Sequence, residues 1–171
     1  MSESEGKVDI LLVDDRPDKL LALEAVLEDL GQNVVRAYSG REALRHVLLQ
    51  EFAVILLDVN MPGMDGFETA ELIRQRKNSE HVPIIFITAF GDEMLAARGY
   101  SLGAVDYILT PIVPDVLRTK VRVFIELYDM RAALARSNQE LELRVRARTA
   151  ELEDSNQRLQ AEVAERLRVQ N

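Results

Sequence analysis

No glycine follows Gly103 and no proline follows Pro114, whereas both recur at short intervals before those positions. Glycine and proline are the residues that interrupt helices and shape turns. Their asymmetric placement predicts a turn-rich globular domain followed by one helix running from Asp115 almost to Asn171. The 171 residues suffice for one domain plus an extension. Apolar content of 47% supports a real core. A net charge of −8 with no basic patch argues against a nucleic-acid face. The absence of cysteine excludes a disulfide framework and thiolate chemistry. No apolar run approaches the length of a membrane span, and the opening MSESEGKVD is acidic, unlike a signal peptide. A cytoplasmic protein with no membrane partner is the expectation.

Within the first part, short apolar runs alternate with helical spacing. Val8–Val13, Val34–Tyr38, Val54–Leu57, Ile84–Thr88 and Val105–Leu109 read as strands. Between them, Pro17–Leu30 carries Leu20, Leu23, Leu27 and Leu30 at helical spacing and stops at Gly31. Ser39 is a good N-cap for a helix through Leu49, and Gly66–Arg76 and Asp92–Tyr100 complete the set. Apolar strands separated by helices predict an α/β domain whose parallel sheet is covered on both faces. Ligands of such sheets bind beyond the carboxyl ends of the strands.

The residues at those ends are informative. The first strand is followed by Asp14-Asp15 and the third by Asp58; the fourth ends in Thr88, and the fifth carries Tyr107 and leads into Thr110-Pro111. Singly, each has an ordinary reading as a cap, a turn residue or packing. Together they put three carboxylates on one crevice, where they repel unless a cation intervenes. Carboxylates, a carbonyl and water are oxygen ligands that suit Mg²⁺. Such a site can accept a phosphoryl group, because the metal neutralises charge on the transferring oxygens.

The segments LLVDDRPDKL, ILLDVNMPGMDGFE, IIFITAF and LGAVDYILTPI resemble the response-regulator receiver family over about residues 7–125. The resemblance implies a five-stranded, doubly wound, flavodoxin-like fold and a role in two-component signalling. It implies Asp58 as phosphoacceptor from a histidine kinase or phosphotransfer protein. Asp14, Asp15, Asp58 and the backbone carbonyl of Asn60 would hold Mg²⁺. Thr88 would be the switch hydroxyl, Tyr107 the switch aromatic, and Met61-Pro62-Gly63 the loop shaping the site. One position departs: Thr110 stands before Pro111 where the family usually has Lys, so a fixed positive charge is missing. That departure keeps one alternative open, a degenerate, phosphate-independent receiver acting as a dimerisation scaffold. An enzymatic alternative, a Mg²⁺-dependent phosphohydrolase, generally needs a second acid two residues after its nucleophile. Asn60 and Arg16 occupy those positions here, so no separate substrate turnover is expected. His46 and His81 lack the context of a phosphohistidine or metal site.

The extension has its own pattern. Leu134, Asn138, Leu141, Val145, Thr149, Leu152, Asn156, Leu159, Val163 and Leu167 form one stripe. Its mean step is about 3.67 residues, nearer an 11-residue repeat than a heptad. Glu140–Arg144, Glu142–Arg146, Asp154–Arg158 and Glu162–Arg166 are four-apart pairs that favour a helix. A polar-rimmed apolar stripe asks for a partner, and a parallel homodimer is predicted, with Asn138 and Asn156 setting register. The boundary is expected near residue 125, with residues 126–171 as a coiled-coil linker. This segment resembles linker helices of multidomain signalling proteins, which implies an output domain beyond Asn171.

Overall fold

The computed structural model describes residues 6–89, 97–98, 100–103 and 106–171. Five strands form one parallel sheet: β1 (Asp9–Val13), β2 (Asn33–Ala37), β3 (Val54–Asp58), β4 (Ile84–Ala89) and β5 (Asp106–Thr110). Their spatial order is β2-β1-β3-β4-β5. The chain moves outward from β1 to β2, then returns past β1 to β3, so strand order reverses at the β1/β3 junction. The β1–β3 register pairs Ile10 with Val54 and Val13 with Leu57. The next residues are Asp14 and Asp58, which therefore emerge side by side from adjacent strand ends.

Strand periodicity sorts the apolar residues onto two faces. Leu11, Val13, Ile55, Leu57, Ile84 and Phe86 pack on one face, against Ala43 and Val47 of helix α2 (Gly40–Leu49) and Phe67, Ala70 and Ile73 of helix α3 (Gly66–Arg74). Ile10, Leu12, Val54, Leu56, Ile85 and Ile87 pack on the other, against Leu20, Leu23 and Leu27 of helix α1 (Pro17–Leu27). Leu117, Val121 and Ile125, from the first turns of helix α4 (Pro114–Val169), complete that layer. A fully buried side chain such as Leu56 or Ile85 contributes roughly 2–3 kcal/mol by area alone. The two-sided burial explains why these strands are continuously apolar rather than alternating.

Local signals set the element ends. Pro17 opens α1, and the chain closes it with a 3₁₀ turn (Glu28–Leu30) and Gly31 at φ 66°. Ser39 caps α2 as expected, its hydroxyl accepting from the Glu42 N–H at 3.1 Å. The Glu42 carboxylate in turn accepts from the Tyr38 N–H, which takes Tyr38 out of the β2 ladder and ends that strand at Ala37. Asp65 and Glu68 form a reciprocal capping box on α3. That helix ends at Arg74 rather than Arg76, and the Ser79 hydroxyl donates to the Ile73 carbonyl there. β5 begins at Asp106 and runs to Thr110, whose register partner is Ala89. The helix expected at Asp92–Tyr100 falls largely outside the described residues.

The chain divides into two compact units, Met1–Tyr128 and Asp129–Asn171. The second is helical through Val169, and its apolar stripe faces solvent: Leu134, Leu141, Val145, Leu152, Leu159, Val163 and Leu167 are all more than half exposed. Three of the four expected ion pairs form, Arg144–Glu140 and Arg166–Glu162 at 2.7 Å and Arg158–Asp154. Glu142 and Arg146 do not reach ion-pair distance, while Arg148 pairs with Glu151 at 3.0 Å. Among the described residues, no helix is long and apolar enough to cross a membrane.

Candidate functional site

Asp14, Asp15 and Asp58 each present a carboxylate oxygen within 4.8 Å of the others. Asp14 and Asp58 are buried and Asp15 is half-buried. Two unit charges about 4.8 Å apart repel by about 3 kcal/mol at an effective protein dielectric near 20. The strain appears in the acid strengths. Burial, then the neighbouring Asp14 charge, pushes the Asp58 carboxyl up to about 6. Burial also raises Asp14, against the opposing pull of the Arg16 backbone N–H, which donates to Oδ1 at 3.0 Å. The Asn60 backbone N–H pulls the Asp58 carboxyl back down, yet Asp58 Oδ2 stays buried with no hydrogen-bond partner. A buried, unpartnered carboxylate oxygen beside two further acids is costly unless a cation or an electrophile meets it. The oxygen-only donor set fits a hard divalent ion.

Gly66 is required directly behind this point. A Cβ there would clash with the Asp58 carbonyl oxygen and lie 2.8 Å from Val59 Cα. Close approach of α3 to the end of β3 therefore depends on that glycine.

The remaining candidates sit in graded proximity. Asp58 is in register with Ile87, so Thr88 stands one residue beyond it on β4, buried; its hydroxyl contacts the Ala89 carbonyl only loosely, at 3.5 Å. Thr110 lies at the end of β5, its hydroxyl 3.4 Å from the Thr88 carbonyl, and the Thr110–Pro111 peptide bond is cis. Tyr107 is set back from the acids on the α3 side of the sheet. Its ring packs against Phe86 at 5.7 Å and Tyr100 at 5.2 Å, and Phe86 in turn against Phe67 at 5.0 Å. Asn60 is exposed.

Sequence reasoning overlooked Lys19. Its Nζ lies 3.9 Å from Asp14 Oδ2, and its charge acts on both Asp14 and Asp58. The available signal was its position in the first turn of α1, four residues after Asp15 of the acidic pair. It also overlooked Arg98, whose guanidinium stands 4.7 Å above the Phe67 ring.

Comparison with known proteins bears on this geometry. The sequence profile described as the response regulator receiver domain matches residues 10–122. A "Probable cyclic di-GMP phosphodiesterase" of Vibrio cholerae is 31% identical over 151 residues, which is 88% of this chain and 34% of that protein. The transcriptional regulatory protein ZraR of Salmonella typhimurium is 39% identical over 113 residues, 66% of this chain and 25% of that protein. The chain thus spans between a quarter and about a third of the length of these relatives. Among solved structures, the chemotaxis protein CheY4 of Vibrio cholerae superposes with a TM-score of 0.66 at 30% identity, covering 69% of this chain and 98% of that one. The matched span holds β2 to β5, all of β1 but its first residue, and every carboxylate of the cluster, and the chain belongs to the response-regulator receiver family.

Proposed function

We propose that this receiver accepts a phosphoryl group on Asp58 and passes the resulting state through its C-terminal helix to an output domain. The observation that carries the reading is the buried, unpartnered Asp58 Oδ2 within a cluster of three carboxylates. Asp14, Asp15, Asp58 and the carbonyl of Asn60 would hold Mg²⁺, which supplies charge neutralisation to the transferring phosphoryl oxygens. An Asp58 oxygen attacks phosphorus of a phosphohistidine on a histidine kinase or phosphotransfer protein. The P–N bond breaks, the imidazole leaves with its electron pair and takes a proton, and an acyl phosphate remains. The Thr88 hydroxyl, loosely held, turns to donate to a phosphoryl oxygen. Tyr107 changes packing against Phe86 and Tyr100 in response. Residues 1–125 act as the receiver and residues 126–171 as a parallel dimerisation helix. The solvent-facing stripe supports the dimer, because an isolated helix with such a stripe is marginal in water.

The test is intact-mass spectrometry after incubation with acetyl phosphate and Mg²⁺. One added phosphoryl group is expected, abolished by Asp58→Asn and nearly abolished by Asp15→Ala. Labelling that persists in Asp58→Asn refutes the assignment.

A further inference from the structure

Among the described residues, two cations act on the carboxylate cluster, and they are differently committed. The Arg16 guanidinium is exposed and makes two hydrogen bonds to Asp18, at 2.7 and 3.2 Å. The Lys19 ammonium lies 3.9 Å from the Asp14 carboxylate, beyond hydrogen-bond reach. Lys19 therefore has donors to give and a charge already placed beside Asp14 and Asp58.

The space around Lys19 permits movement. A cavity of about 240 Å³ lies between α1 and the end of β5. Lys19, Ala22 and Val26 line the α1 side; Ile87, Thr110 and Ile112 lie across from them. The short Ala22 and Thr110 side chains leave it open, and the Thr110 hydroxyl is directed to the Thr88 carbonyl. Position 110 thus brings no charge to the acidic cluster. Phosphorylation makes the need for one greater. An acyl phosphate on Asp58 carries more negative charge than the carboxylate it replaces, and Asp14 and Asp15 remain beside it.

We propose that Lys19 is the phosphoryl-binding cation of this receiver, its ammonium leaving Asp14 to donate to a phosphoryl oxygen on Asp58 from the α1 side of the cavity. The inference rests on the phosphoacceptor reading above and deepens it. No covalent bond changes in this step; a weak ion pair is exchanged for a charge-assisted hydrogen bond. It assigns to α1 a contact that a long cationic side chain at position 110 could make only from the opposite wall.

The test measures binding of beryllofluoride, a phosphoryl mimic, to the full chain in Mg²⁺ by calorimetry. Lys19→Gln should weaken beryllofluoride binding about tenfold or more, in line with loss of a charge-assisted hydrogen bond. The same variant should bind Mg²⁺ alone as well as or better than the parent, because a positive charge beside the acids is gone. Lys19→Arg should retain most of the affinity, and Thr110→Lys in the Lys19→Gln background should recover it from the other wall. Equal beryllofluoride affinity in parent and Lys19→Gln overturns the assignment, as does a parallel loss of Mg²⁺ and beryllofluoride binding, which marks a structural role. A parent chain that binds Mg²⁺ but takes neither beryllofluoride nor phosphate overturns the phosphoacceptor reading, and this inference with it.

Discussion

Asp58→Asn should make the metal-free protein more stable. Burial and the Asp14 charge push the Asp58 carboxyl from 3.8 up to about 6. That shift of about two pH units, at about 1.4 kcal/mol each, means the folded state is destabilised by about 3 kcal/mol when Asp58 is ionised. Between pH 3.8 and about 6 the folded state binds more protons at this site than the unfolded chain. Stability from this group therefore falls as pH rises through that window, and the whole cost is present above it. Asparagine has the same shape without the charge, so the variant should gain roughly 1–3 kcal/mol at pH 7.5 in a chelator, and almost nothing near pH 4. Saturating Mg²⁺ should reverse the order, because a ligand that binds only the folded state stabilises it by about 2.7 kcal/mol at 100 times Kd. Urea unfolding followed by tyrosine fluorescence is the suitable assay. Tyr38, Tyr100, Tyr107 and Tyr128 all fall within Met1–Tyr128, so the signal reports on the receiver unit. An Asp58→Asn protein no more stable than the parent in chelator at pH 7.5, or an advantage unchanged at pH 4, would show that burial does not strain this carboxylate.

Three further outcomes are expected. Thr110→Lys should enlarge the change in hydrogen exchange around Tyr107 and residues 110–115 on adding beryllofluoride, since a charge reaching the phosphoryl oxygens is made only in the activated state; an unchanged response contradicts this. Gly66→Ala should cost about 2 kcal/mol or more in urea unfolding and weaken Mg²⁺ binding, because the added methyl group strikes the backbone of Asp58 and Val59; full stability would mean that α3 can retreat without cost. Light scattering should give a dimer for residues 1–171 and a monomer for the full chain carrying Leu141→Glu with Leu152→Glu, while a monomeric parent at micromolar concentration removes the coiled-coil proposal.

Much of the architecture was legible in the order of residues because it rests on local chemistry. Apolar strands separated by helices of about 10 residues, the Ser39 and Asp65 caps, and Gly31 at a helix end each act within a few neighbours, and the elements that lie among the described residues formed close to their expected bounds. At two of the shifted ends a side chain had intervened, Glu42 at Tyr38 and Ser79 at Ile73. The acids, Thr88 and Tyr107 could likewise be placed from position, because strand ends are fixed by the strands themselves, whereas the Thr110 departure was legible only through the resemblance to the receiver family. What tertiary structure alone decided depends on pairing between distant segments. The β2-β1-β3 order brings Asp14 beside Asp58, 44 positions later in the chain, and only then do burial and repulsion raise the acceptor's pKa. The aromatic contact of Tyr107 with Phe86 and Tyr100, and the cavity that separates Lys19 from Thr110, exist because β4, β5 and α1 converge there. Distances of a few ångströms between such residues set their electrostatics, and no periodicity along the chain encodes those distances.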